Sequence, residues 1–193
     1  MTTSRFIPTW RWIAGFLAFP IAGLLGAAAG GPVDAAGAAL VGGAVTGIVL
    51  GVGQWLAAGR VLAPPIPWIA ATGAGYALGL AAGATVVDFA TDLGALATMG
   101  AVTGVGVGLA QGAVLAAHGR RALASVWAPA MPVLMALGWT ITTLAGVDVE
   151  AQYTVFGATG ALVFVALSGV LLARAGSGER MQTPSLTDDL AGA

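Results

Sequence analysis

The sequence predicts an all-α integral membrane protein in which six transmembrane helices form three parallel helical hairpins around a pseudo-threefold axis. Only 8% of the 193 residues are charged and 58% are hydrophobic, whereas soluble domains carry about 25% charged residues. The hydrophobic residues also lie in long uninterrupted blocks, which is typical of chains that have a lipid bilayer as their solvent. An internal repeat, in addition, predicts how the helices are arranged.

Six apolar blocks become visible once the charged residues are marked along the chain. None of them contains Asp, Glu, Arg or His, and each has about the 20 residues that a membrane-spanning helix needs. Strands of a membrane barrel would be only about ten residues long with alternating polarity, so the blocks are predicted to be helices. They are Trp12–Gly30, Ala35–Gly59, Trp68–Val87, Leu93–Ala117, Trp127–Val147 and Tyr153–Ala173.

Basic and acidic residues lie at opposite ends of the predicted helices. One end carries Arg5, Arg11, Arg60, His118, Arg120, Arg121, Arg174 and Arg180, and the other carries Asp34, Asp88, Asp92, Asp148 and Glu150. Because Lys and Arg are enriched in cytoplasmic loops, both termini are predicted to be cytoplasmic. Tryptophans near the same end are predicted to form an interfacial aromatic belt. They are Trp10, Trp12, Trp55, Trp68 and Trp127.

The first block has a second interpretation. Arg5 and Arg11, the apolar run and the small residues "GAAAGG" together resemble a secretory signal peptide with its cleavage site. Removal of that segment would leave five helices and reverse the orientation of one terminus. We favour a retained helix, because the first block also fills a place in the internal repeat.

A hairpin of two helices recurs three times, over residues 10–60, 66–121 and 125–174. The first helix of each copy begins with Trp and ends at an aspartate, and the second carries a Thr-Gly pair. A two-helix unit returns to its starting side, so the copies are parallel in topology. The transmembrane domain is predicted to cover residues 1–174, and residues 175–193 to form a polar, disordered cytoplasmic tail.

The clearest similarity between copies is a Gly-rich stretch, "GAVTGIVLGVGQ" in the first hairpin and "GAVTGVGVGLAQ" in the second. Its glycines at a spacing of four fall on one helix face, and such small residues let helix backbones approach closely. We therefore interpret this face as the packing seam of the bundle. Its predicted members are Gly43, Gly47, Gly51, Gly100, Gly104, Gly108 and Gly160. The branched residues opposite, such as Ile48 and Val52, are predicted to face lipid.

Polar residues on the same faces form the candidate site. They are Thr46, Gln54, Thr103, Gln111 and Thr159. A carboxamide in hydrocarbon is costly unless it is paired, so Gln54 and Gln111 are expected to form hydrogen bonds inside the bundle. Three interpretations stay open: a bond between helices, a polar lining that forms a narrow path or holds a ligand, and a contact with another subunit. The third copy has Leu167 at the position that corresponds to Gln111.

In the first hairpin, a Gly-x-x-x-Gly pattern is followed by "GVGQWL", which ends at Leu56, and then by a basic turn. This combination resembles a group of small, Gly-rich bacterial multi-pass membrane proteins of unassigned function. The second copy has Gly112 where the first has Trp55. The resemblance implies a bacterial inner membrane as the location of the chain. It implies no catalytic or binding residue.

Residue types that are missing from the blocks narrow the function classes. Ion-coupled transporters and pumps carry ionisable residues inside the membrane, and enzymes need a nucleophile, a metal or an acid–base cluster. The blocks show neither, so an enzyme is not expected. No cofactor, metal or nucleic-acid partner is expected either, since the chain has no cysteine and a net charge of -1.

The leading hypothesis is a structural or accessory membrane protein. It would stabilise or assemble a larger membrane complex, or self-associate through its Gly-rich helix faces. The expected partners are the lipid bilayer and either another membrane protein or a second copy of the chain. The alternative is a passive channel or carrier for a small neutral or hydrophobic molecule.

Overall fold

The computed structural model of the chain describes residues 9–147 and 153–181, and every regular element in these ranges is helical. The described segments that are long and apolar enough to cross a membrane are Trp10–Gly30, Ala36–Ala58, Pro65–Val86, Leu93–Ala117 and Arg121–Leu144. A shorter apolar helix covers Ala158–Arg174. The prediction of an all-α, multi-pass membrane protein is confirmed at this level.

Seven α-helices make up the described part of the chain. The first span consists of α1 (Thr9–Ala14), a 3₁₀ turn (Gly15–Leu17) and α2 (Ala18–Gly30). The other helices are α3 (Ala36–Ala58), α4 (Pro65–Val86), α5 (Leu93–Ala117), α6 (Arg121–Leu144) and α7 (Ala158–Met181). A second 3₁₀ turn (Gly59–Val61) follows α3.

The helices follow one another around a closed bundle. Each packs against the next one along the chain, and the first span also contacts α7. Successive spans run in opposite directions, as the contacts between them show: Gly43 faces Ala77, whereas Gly51, further along α3, faces Ile69. The bundle therefore has two chemically different ends. The arginine end carries Arg11, Arg120 and Arg121, and the aspartate end carries Asp34, Asp88 and Asp92.

Local residue chemistry determines where several helices begin and end. Asp92 caps α5, because its Oδ1 accepts hydrogen bonds from the backbone N–H groups of Gly94 (2.9 Å) and Ala95 (3.0 Å). Pro65 is the first residue of α4, where a missing N–H leaves no helical bond unmade. Helix α3 ends before Gly59, whose φ of 59° is readily adopted by glycine.

The connection between α6 and α7 enters the bundle. Residues 153–157, which we call the re-entrant segment, are not helical, yet Thr154 is fully buried. The Thr154 carbonyl accepts a hydrogen bond from Tyr76 Oη (2.9 Å), and the Gly157 N–H donates to Thr142 Oγ1 (3.0 Å). Non-helical backbone is tolerated at membrane depth where protein groups satisfy it in this way.

The re-entrant segment shifts the boundaries of the last helix. The predicted block begins at Tyr153, whereas α7 begins at Ala158 and continues to Met181. Residues 175–181, which are predicted from the sequence to belong to the disordered tail, are helical. Residues 182–193 of that predicted tail lie outside the described residues, as do the predicted loop and terminal charges Arg5, Asp148 and Glu150.

Candidate functional site

The predicted seam glycines face neighbouring helices of the same chain. A Cβ atom on Gly47 would come within 2.6 Å of the Thr72 carbonyl oxygen on α4. A Cβ atom on Gly104 would come within 2.5 Å of the Met131 carbonyl oxygen on α6. The other seam glycines make similar contacts: Gly43 and Gly51 with α4, Gly100 and Gly108 with α6, and Gly160 with Gly138 of α6. The paired helices are therefore in backbone contact, as small residues allow.

A second glycine seam, between α4 and α5, is not among the sequence predictions. It places Gly75, Gly79 and Gly83 against Gly106, Thr103 and Met99 of α5. A Cβ atom on Gly79 would lie 2.8 Å from both the Cα atom and the carbonyl oxygen of Thr103. The spacing of four is visible in the sequence, but it lies outside the repeated stretch on which the prediction depended.

Three tryptophans meet inside the bundle near its arginine end, and we call them the tryptophan layer (Trp12, Trp68 and Trp127). Ring centroids are 6.3 Å apart for Trp12 and Trp127, and 6.2 Å apart for Trp68 and Trp127. All three side chains are buried. The prediction that these three residues belong to an interfacial belt is wrong, because their side chains do not face lipid. Trp10, by contrast, is 70% exposed at the surface. The sequence feature that these three tryptophans share is their position at the start of a predicted hairpin.

Gln111 connects the tryptophan layer to neighbouring helices. Its Oε1 accepts a hydrogen bond from Trp127 Nε1 (2.8 Å). Its Nε2 donates to Gln54 Oε1 (2.9 Å) and to Thr72 Oγ1 (2.9 Å). The Gln111 side chain is fully buried, and these bonds satisfy its carboxamide on both sides. One side chain of α5 thus joins α3, α4 and α6 at a single level of the bundle.

Gln54 takes part in the same layer from α3. Its Oε1 accepts from Trp68 Nε1 (3.2 Å) as well as from Gln111. Trp68 and Trp127 therefore make the same kind of contact, in which an indole N–H donates to a glutamine Oε1. In each case, the first helix of a hairpin donates an indole N–H to the second helix of the preceding hairpin.

The third tryptophan of the layer finds its acceptors on α7. Trp12 Nε1 donates to Ser168 Oγ (3.1 Å) and to the Val165 carbonyl (3.0 Å). Ser168 is fully buried, whereas Leu167 is 40% exposed. Leu167, the residue that was predicted to correspond to Gln111, therefore does not contact the tryptophan layer, whereas the next residue, Ser168, does. Ser168 is not predicted from the sequence, because the prediction followed the repeated glutamines and serine has a hydroxyl group in place of their carboxamide.

The predicted threonines lie apart from the glutamines. Thr46 donates to Thr154 Oγ1 (2.8 Å) of the re-entrant segment, about 12 Å along α3 from Gln54 at 1.5 Å per residue. Thr103 donates to a carbonyl one turn back on its own helix (2.7 Å), and Thr159 is exposed. Of the candidate polar residues, the structure brings only the two glutamines into direct contact.

The re-entrant segment packs inside the bundle on the aspartate side of the tryptophan layer. The Phe156 ring lies over Gly138, and its centroid is 5.4 Å from that of Phe19 and 6.2 Å from that of Trp139. Thr154 occupies the neighbouring space beside Thr46. Side chains therefore occupy the centre of the bundle at two levels, the tryptophan layer and the re-entrant segment.

His118 is the one histidine of the chain, and it lies at the exposed arginine end. Its Nδ1 atom is 2.8 Å from the Val114 carbonyl of the same helix. Within residues 9–147 and 153–181, no three His, Cys, Asp or Glu side chains are grouped closely enough to share a metal ion. The polar chemistry of this part of the chain is thus concentrated in amide, indole and hydroxyl groups.

Comparisons with known proteins add no family. No protein-family model, curated protein or solved structure matches the chain. The function is therefore inferred from the geometry of the bundle.

Proposed function

We propose that the chain is a structural or accessory protein of a bacterial inner membrane, which stabilises or assembles a larger membrane complex. The observation that carries this proposal is the pairing of the glutamines. Gln54 and Gln111 are bonded to each other and to the indoles of Trp68 and Trp127. A group that lines a path exchanges its bonds with each passing molecule, whereas bonds between helices hold a bundle together in lipid.

We also propose that the bundle consists of three parallel hairpins around a pseudo-threefold axis. Trp68 donates to the first hairpin, Trp127 to the second and Trp12 to the third. This cyclic order supports the arrangement, because a threefold relation repeats one contact at each boundary between hairpins. The glutamine acceptors of the first two boundaries are replaced by a serine and a carbonyl at the third.

A partner protein is expected to contact the lipid-facing surface of the bundle. The seam glycines are already used by packing within the chain, and Gly47 and Gly104 are buried. Self-association through those faces would require the bundle to open. The outward faces offer apolar side chains in their place, for example Leu24 on α2, which is 74% exposed, and Leu78 on α4, which is 65% exposed.

Native mass analysis of the protein, released from its own membrane in a mild detergent, tests the proposed function. We expect a stoichiometric complex with another membrane protein or a defined oligomer, since an accessory protein acts through such contacts. A monomer without a protein partner in every mild detergent would contradict the proposal. A bound small hydrophobic molecule on that monomer would favour the carrier alternative.

Both termini are proposed to face the cytoplasm, which places Ala90 outside and Ala117 inside. Both residues are exposed and the chain has no native cysteine, so single cysteines report on each end. A membrane-impermeant maleimide should label Ala90→Cys in intact spheroplasts. It should label Ala117→Cys only after the membrane is permeabilised. The reverse labelling pattern would show that the orientation is wrong.

A further inference from the structure

A lipid-facing groove runs between the first span and α3 at the arginine end. Its volume is about 360 Å³. Glycines let the two helices approach at its base: Gly53 faces Ala18, and a Cβ atom on Gly15 would lie 3.5 Å from Ala57 Cβ. Apolar side chains such as Ile21 form its walls. The groove is therefore a concave apolar surface that lies within the membrane.

The length of the groove matches one leaflet of a bilayer. Its lining extends from Trp10 to Ile21 along the first span, which is roughly 16 Å at 1.5 Å per residue. The hydrocarbon core of a bilayer is about 30 Å thick, so one leaflet contributes about 15 Å. A lipid acyl chain from the leaflet at the arginine end would fit along it.

A cationic group lies at the end of the groove where a lipid headgroup would be. Among the described residues that line the groove, Arg11 is the only charged one. Its Nη2 donates to the Leu56 carbonyl (2.8 Å), which holds the exposed guanidinium beside the groove. A guanidinium has five N–H donors, so this one bond leaves capacity for an anionic oxygen. Trp10, beside it, is 70% exposed, as expected for an indole at headgroup level.

We propose that this groove binds an anionic phospholipid, with one acyl chain between the first span and α3 and the phosphate on Arg11. The apolar walls match the chain, and the single guanidinium matches the negative charge of the headgroup. The proposal is independent of the structural or accessory function, since a channel would have the same groove.

Lipid titration followed by native mass spectrometry tests the charge of the site. The probes are phosphatidylglycerol and phosphatidylcholine with identical acyl chains. We expect the wild type to bind its first phosphatidylglycerol about fivefold more tightly, the factor that corresponds to the roughly 1 kcal/mol contributed by one Lys or Arg near an anionic surface. Arg11→Gln should remove this preference. The matched control, Arg121→Gln, changes an exposed arginine at the same end outside the groove and should retain it.

A second pair of variants tests the position of the acyl chain. Ala14 lines the groove, whereas Ala29 is exposed on the same span outside it. Ala14→Phe should weaken binding of both lipids several-fold, and Ala29→Phe should not.

The proposal is overturned if the wild type does not prefer phosphatidylglycerol, if Arg11→Gln retains the preference, or if a folded Ala14→Phe binds both lipids like the wild type. A dimer of the chain that Ala14→Phe dissociates would also overturn it, because a second copy would then occupy the groove.

Discussion

Replacing Gly104 by alanine should destabilise the bundle by about 2–3 kcal/mol, the upper part of the range for overpacking a well-packed interior. The added Cβ atom would lie 2.5 Å from the Met131 carbonyl oxygen and 2.5 Å from Pro132 Cα. Both are backbone atoms of α6, so the clash cannot be relieved by rotating a side chain. Helices α5 and α6 would have to separate along the seam, which reduces packing at every contact between them.

Gly37 supplies a matched control, because the same chemical change there meets nothing. A Cβ placed on Gly37, in the first turn of α3, has no heavy atom within 4 Å apart from its chain neighbours and the adjoining backbone of its own helix. Since alanine favours a helix over glycine by up to about 1 kcal/mol, Gly37→Ala should leave the stability unchanged or raise it slightly. Unfolding in mixed micelles with increasing dodecyl sulfate would compare the two variants with the wild type. Equal unfolding midpoints for both would show that α5 and α6 are not in backbone contact at Gly104.

The helices and their close faces were predictable because the signals are local. An uncharged block of about 20 residues is long enough to span a bilayer whatever its neighbours are. Glycines at a spacing of four, such as Gly47 and Gly51, mark a face where another backbone approaches. The sequence does not say which helix approaches, and the contacts with α4 came from the structure.

The tryptophan layer could not be predicted by the same reasoning. An indole near the end of a transmembrane helix is satisfied at the interface by water and headgroups, or in the interior by a carbonyl or an amide. Trp10 takes the first environment and Trp12 the second, although only two positions separate them. The choice depends on whether an acceptor such as Ser168 lies opposite, and this is a property of the packed bundle.

The re-entrant segment was hidden for a different reason. Residues 153–157 carry apolar side chains beside one threonine, so hydropathy treats them as the start of a helix. Two of their backbone groups are bonded to the side chains of Tyr76 and Thr142, which belong to other helices. Because α7 begins only at Ala158, Thr159 lies in its first turn, where its side chain is exposed.

Gln111→Leu is expected to have the second large effect, because the substitution removes three hydrogen bonds from the centre of the bundle. Trp127 Nε1 loses its acceptor, and Gln54 and Thr72 each lose a donor. Bonds between transmembrane helices contribute about 0.6 kcal/mol each on average and at most about 1.7, so the expected loss is about 2 kcal/mol. Gln54→Leu should cost less, since Gln54 is only partly buried and accepts two bonds.

A double-mutant cycle identifies the source of this loss. If the Trp127–Gln111 bond is responsible, Trp127→Phe should destabilise the wild type more than it destabilises Gln111→Leu, because the indole N–H is already unpaired there. Equal effects in the two backgrounds would show that the bond contributes nothing.

Solute flux into proteoliposomes that contain the wild type or Gln111→Leu distinguishes the structural function from the channel function. A structural protein should leave liposomes as impermeable to small neutral solutes as protein-free ones, with either residue at position 111. A wild-type flux well above that background, altered several-fold by Gln111→Leu, would mean that the carboxamide lines a path, and the accessory function would have to be abandoned.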